Sequence, residues 1–159
     1  SDGNKYSVVE MNKHDKEIAE LLSKINKNLP MFMNYIQKYK KDVFYSNILK
    51  FDISKIQEIY PSSGSSFTTF GKHIINLCMR DSNGNPHNYD TIMFVLIHEL
   101  THIGTKTIVH DEYFWKKFLE LLEISQKIKI MNNINYEKNV TFYCKNRIKI
   151  DSNPYFKLK

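Results

Sequence analysis

Apolar and polar positions alternate in two registers along the chain, and each register names an element. Residues 5–11, Lys-Tyr-Ser-Val-Val-Glu-Met, read as a short strand. Asp15 reads as an N-cap, and Ile18, Leu21, Leu22, Ile25 and Leu29 then recur at helical spacing, predicting a helix to Asn28 that Pro30 breaks. Phe32, Tyr35, Ile36 and Tyr39 predict a second helix to about Lys41. Weaker helical spacing continues over residues 43–60 around Ile48, Leu49, Ile56 and Ile59. Pro61 to Ser66 is loop, too short to link two domains.

In the second half, Ile74 to Arg80 reads as a strand ended by the turn-rich Asp81–Pro86. Asp90 caps a helix to about Ile103, with Gly104 as its C-terminal stop. A further helix over residues 112–128 buries Phe114, Trp115, Phe118, Leu121 and Leu122, with Asp111 as its N-cap. Thr141 to Ile150 alternates, Phe142, Cys144, Ile148 and Ile150 against Thr141, Lys145, Arg147 and Lys149, and reads as one half-buried strand. No internal repeat is visible. The expected fold is α+β, a small, mostly antiparallel sheet packed on helices in a single domain, with a helical N-terminal part over 1–60 and a core over 67–155.

Composition narrows the classes. The chain has 159 residues, 42% hydrophobic and 13% aromatic, enough for one hydrophobic core and against disorder. The longest uninterrupted apolar run, Ile92 to Ile97, is far short of the roughly 20 residues a membrane span needs. The chain begins Ser1-Asp2-Gly3 without Met, so an upstream segment, a membrane anchor included, is an open expectation. The location expected of the chain itself is intracellular. The net charge of +6 is unevenly placed. Residues 1–125 hold 15 basic and 15 acidic residues, whereas 126–159 hold 8 and 2. That segment reads either as a solvated tail or as a patch for an acidic partner, DNA among them. Its charge is nearly all Lys, which gives point charges without bidentate recognition. The two cysteines, Cys78 and Cys144, match no metal knuckle and read as buried thiols, or as one disulfide in an oxidising compartment.

The chemistry concentrates in His98-Glu99-Leu100-Thr101-His102. Residues four apart on a helix are offset by about 40° and one turn, so both imidazoles reach one ion. Glu99, on the flank between them, is placed to touch an attacking water rather than the metal. The opposite face, Met93, Leu96, Ile97, Leu100 and Ile103, is apolar and anchors the helix in the core. The bland alternative is two surface histidines beside an ion-paired Glu. A catalytic zinc needs a third protein ligand and one open position. His110, beyond the Gly104 break, is one candidate; Glu120 and Glu123 are others, although they share the polar face of their helix with Lys116 and Lys127 at salt-bridge spacing. The longer metzincin motif fails, since Thr105 and Ile108 stand where it needs Gly and His.

These residues resemble a known family. His98-Glu-Leu-Thr-His102 followed by His110-Asp-Glu-Tyr-Phe114 is similar to the pattern of the WLM branch of the SprT-like zinc metallopeptidases, H-E-L-x-H, a short turn, then H-x-x-x-F. The likeness extends to members encoded by large DNA viruses, through a strand like Ile75–Arg80 and a Tyr-Cys pair like Tyr143-Cys144. Where those relatives usually carry Gly after that pair, this chain has Lys145-Asn146-Arg147, which argues against a tight turn there. The resemblance implies a zincin-like fold, one Zn2+ held by His98, His102 and His110, and Glu99 as catalytic base. It also implies peptide-bond hydrolysis of proteins bound or crosslinked to DNA. Tyr113, Tyr143, Tyr155 and Arg80 have the chemistry to stabilise an oxyanion or hold substrate. The strand before the metal helix, 74–80, is the expected edge to which an extended peptide would pair. Two other readings stand beside the peptidase: a zinc-stabilised binding module without turnover, and a viral accessory protein tethered through an upstream anchor.

Overall fold

A computed structural model describes residues 2–60, 67–69, 74–133, 142–144 and 146–147. Its first element is a single helix, α1 (Asp15–Tyr39), which runs through Pro30. The buried stripe Ile18, Leu22, Ile25, Leu29, Phe32 and Ile36 continues across the proline without a phase change. Pro30 itself lies on the exposed face. Interrupting the helix there costs about 3 kcal/mol, whereas burying Phe32 and Ile36 beyond it returns roughly 1.5–3 kcal/mol each, so packing outweighs the breaker. Asp15 does not cap the helix; His14 holds that position, and the Asp15 carboxylate instead accepts from the Met11 and Asn12 amides in the turn before it. Residues 5–11 form no strand, although the Ser7 carbonyl accepts from the Glu58 amide at 3.0 Å.

Helix α2 (Val43–Leu49) is capped by Asp42 and buries Phe44, Tyr45 and Ile48. A short 3-10 turn, Ile53–Lys55, leads into β1 (Ile56–Ile59), where a continued helix was expected. The spacing of Ile56 and Ile59 mimics a helix, but the strand buries Ile56 and Glu58, and a buried carboxylate hides the alternation. Strands β2 (Phe67–Thr69) and β3 (Ile74–Cys78) complete a three-stranded sheet in the order β1-β3-β2. β1 runs parallel to β3 over four residue pairs, and β2 runs antiparallel to β3 over three. The main sheet is therefore mixed rather than mostly antiparallel. β3, buried at four of its five positions, takes the centre between β1 and β2.

Helix α3 (Tyr89–Thr105) is the centrepiece, buried almost all round rather than along one stripe. Asn88, not Asp90, is its N-cap, and Lys106 at φ 54° ends it. Gly104 lies inside the helix: a Cβ there would stand 2.3 Å from Cε2 of Phe44, so the glycine serves the close approach of α2. Helix α4 (Glu112–Lys127) is capped by Asp111, whose carboxylate accepts from the Phe114 amide at 2.8 Å. Near the C-terminus the chain reverses between β4 (Phe142–Tyr143) and β5 (Asn146–Arg147), which pair antiparallel, instead of forming one strand. Cys144 adopts φ 55° there, so the tight turn forms without glycine. A disulfide joins Cys144 to Cys78 on β3, resolving the two states open to these cysteines. The loop 61–66 and most of 126–159, including Tyr155, lie outside the described residues. No described helix is long and apolar enough to cross a membrane.

Candidate metal centre

Three imidazoles converge where α3 ends. His98 and His102 sit one turn apart on α3, and the segment after Lys106 brings His110 back over them. Their Nε2 atoms form a triangle: 3.2 Å between His98 and His102, 3.2 Å between His98 and His110, and 3.1 Å between His102 and His110. Bonds of about 2.0–2.1 Å in a tetrahedral arrangement hold ligand nitrogens roughly 3.3–3.4 Å apart, so the donor set fits a metal ion such as zinc and leaves one position open. Burial holds the His98 pKa down to about 3, helped by repulsion from His102 and His110. Burial likewise lowers His102. Neutral rings with unshared Nε2 lone pairs are the form a metal requires.

The surroundings fix each ring. His102 Nδ1 faces the Thr107 carbonyl at 2.7 Å, so Nδ1 carries the proton and Nε2 is the free donor. The indole Nε1 of Trp115 donates to the His110 carbonyl at 3.0 Å, tying the third imidazole's backbone to α4. Phe114 packs against all three rings, with centroids 4.6–5.0 Å away. Glu99 is 5% exposed. Its Oε2 accepts from the Thr68 hydroxyl on β2 at 2.7 Å. Burial pushes the Glu99 carboxyl up to about 7 against the opposing pull of Thr68. A carboxylate balanced near neutrality beside a metal site is suited to moving a proton.

The other candidates from sequence are placed elsewhere. Glu120 accepts from the Tyr45 hydroxyl and pairs with Lys117 at 3.2 Å, joining α4 to α2. Lys116 pairs with Glu112, so the expected partnership of Lys116 with Glu120 does not form. Glu123 is exposed on α4. Arg80 is fully buried and all five of its N–H groups are taken. Nε and Nη2 hold Glu58 at 2.7 and 3.0 Å, Nη1 holds Asp15 at 2.7 Å and Asn12 at 3.1 Å, and Nη2 also holds the Val9 carbonyl at 3.0 Å. That guanidinium clamps the N-terminal segment and has no donor left for substrate. Tyr143 is buried with its ring 5.0 Å from that of His87. Tyr113 stands half exposed in the first turn of α4, edge-on to Phe44.

A second cluster, Cys78, His87 and Cys144, also brings ligand-type atoms together. Its sulfurs are joined, and His87 Nε2 accepts from the Cys144 amide at 2.9 Å, so the group is a covalent and hydrogen-bonded tie. Sequence reasoning missed Thr68, Thr107 and Trp115. The run Phe67-Thr-Thr-Phe70 has strand composition, but nothing in it points to Glu99, 31 residues away.

The chain is 29% identical over 150 residues to the "Uncharacterized protein R325" of Acanthamoeba polyphaga mimivirus, covering 89% of this chain and 76% of that one. It is 29% identical over 91 residues to the "Uncharacterized protein 136R" of Invertebrate iridescent virus 6, covering 55% of this chain and 49% of the relative. No solved structure matches. The WLM domain pattern matches residues 4–146, from the segment clamped by Arg80 to the C-terminal hairpin, and the chain belongs to the WLM domain family, a metallopeptidase-like group.

Proposed function

We propose that the protein is a zinc-dependent endopeptidase with a zincin-like arrangement, in which His98, His102 and His110 hold the ion. The observation that carries this reading is the Nε2 triangle of 3.1–3.2 Å edges, with Glu99 on the same helix as two of its members. When bound, zinc supplies Lewis acidity, polarising the scissile carbonyl and making water acidic enough to ionise near neutral pH. Glu99 accepts the proton of the attacking water and passes it to the departing amine. The apolar floor of Phe114 and Phe118, with ring centroids 5.0 and 5.2 Å from that of His98, limits water on that side of the cluster.

Peptide docking falls to β2. The strand expected to serve as the edge, β3, has neighbours on both sides, whereas β2 pairs with β3 alone among the described residues. An extended substrate adding to β2 would be read mainly through its backbone. Proteins bound or crosslinked to DNA are the substrate class we assign. The excess of 8 basic over 2 acidic residues in 126–159 supports that assignment.

The test combines metal analysis with cleavage of an unfolded protein, with and without DNA. Wild type should carry one zinc per chain and cleave. Glu99→Gln should keep the metal and lose turnover by roughly 10²–10⁴-fold. His110→Ala should lose the metal. Normal cleavage by Glu99→Gln would refute the peptidase reading. Zinc without cleavage in wild type would favour the binding module. A response to DNA that disappears as salt rises would support the substrate class, and a salt-independent rate would remove DNA from it.

A further inference from the structure

Glu99 is a buried carboxylate with one hydrogen-bond partner among the described residues, the Thr68 hydroxyl, 2.7 Å from Oε2. Buried carboxylate oxygens ordinarily have their acceptor sites filled, and one left open calls for a reason. Thr68 has a second feature. It is the middle residue of β2, opposite Ile75 of β3, and β2 is the edge of the sheet. The strand that an incoming peptide would pair with therefore carries the hydroxyl that holds the base.

We propose that Thr68 is a positioning residue that fixes the Glu99 carboxylate for proton transfer and couples that orientation to occupancy of the β2 edge. This rests on the peptidase reading above. The Thr68 hydroxyl donates to Oε2, which restrains rotation of the carboxylate and leaves Oε1 as the oxygen available to water. With β2 unpaired on its outer side among the described residues, the hydroxyl is carried by a three-residue strand paired with β3. A peptide pairing along the other edge immobilises Thr68 from both sides, and the base is steadied when substrate is present. The catalytic benefit is thus tied to substrates long enough to reach β2.

The experiment compares wild type, Thr68→Val, Thr68→Ser and Glu99→Gln on two substrates, an extended polypeptide and a short peptide with too few residues to pair with β2. Zinc content and melting temperature are measured for each protein. Thr68→Val keeps the shape and removes the donor. It should lower kcat on the extended substrate roughly 10- to 100-fold, as expected for losing a hydrogen bond to a charged group, with KM changed less than about twofold. Thr68→Ser restores the donor and should recover most of the rate. On the short peptide the gap between wild type and Thr68→Val should shrink. Unchanged kcat in Thr68→Val overturns the inference. So does a loss that Thr68→Ser shares, or one that follows a fall in zinc content or melting temperature. A wild-type protein that does not cleave, or an active Glu99→Gln, instead defeats the peptidase reading itself.

Discussion

Replacing Arg80 by Met separates a structural role from a catalytic one. The guanidinium is fully buried, and the Glu58 side chain it holds at two points is also inaccessible. Removing one member of a buried ion pair costs about 3–5 kcal/mol, because the remaining charge stays desolvated without a partner. Here, among the described residues, the Glu58 carboxylate keeps only the Val9 amide at 2.9 Å, and the Val9 carbonyl loses its 3.0 Å contact with Nη2. For a chain of this length each kcal/mol moves the melting temperature by about 2–4 °C, so Arg80→Met should melt about 6–20 °C below wild type. Combining it with Glu58→Met should recover part of that loss, with a coupling of at least about 1 kcal/mol in a double-mutant cycle. The assay is urea and thermal unfolding of the four proteins, alongside cleavage rates well below the unfolding transition. Those rates should match wild type. Arg80→Met with wild-type stability and a depressed kcat would refute the burial argument and return Arg80 to the substrate side.

Gly104→Ala, which in an ordinary helix interior stabilises by roughly 1 kcal/mol, should here destabilise by about 1–3 kcal/mol, because its Cβ meets three Phe44 ring atoms at 2.3–2.8 Å. Phe44→Leu in the same chain should relieve most of that loss in a melting experiment. The Cys78–Cys144 disulfide closes a loop across 66 residues, and reducing it should cost about 4 kcal/mol by loop entropy, seen as a lower melting temperature with reductant. Equal melting with and without reductant would show that the bond does not contribute. Hydrogen bonds from the Asn12 amide, from Arg80 and from the Met11 amide hold the Asp15 carboxyl at about 2, below its ordinary 3.8. Its contribution is complete above pH 3.8 and is lost as pH falls through about 2, so the acid transition of Asp15→Asn should lack that component.

The parts of the fold that were legible from sequence are those set by a single helix's own register. The HExxH helix and α4 with its Asp111 cap follow from local spacing, whereas α2 is only the first part of the weak helical signal over 43–60. Three of the errors are local signals overruled by packing. Pro30 is a breaker, yet Phe32 and Ile36 fill the same core as Ile18 and Leu22, and the helix continues. Glu58 makes β1 look unlike a strand because its partner, Arg80, lies 22 residues away. Gly104 resembles a stop signal and is instead a seat for Phe44. In the last two cases the partners lie 22 and 60 positions apart, beyond any window that reads local periodicity.

The same distinction divides the site. His98 and His102 are one helical turn apart and their spacing could be read directly, whereas His110, 12 positions after His98, stood beside Glu120 and Glu123 as a candidate until the family resemblance singled it out. Glu99, the proposed base, was legible from the same helical spacing. What holds the base was not, because Thr68 reaches Glu99 across 31 residues and through the edge of a sheet whose topology the sequence pattern misassigned. The two helix histidines are encoded locally, while the Thr68 contact to the Glu99 carboxylate depends on tertiary structure. Among chains that share the helix motif, differences in turnover should therefore follow the edge strand more closely than the histidines. Exchanging β2 between two such proteins should change kcat while leaving metal affinity in place.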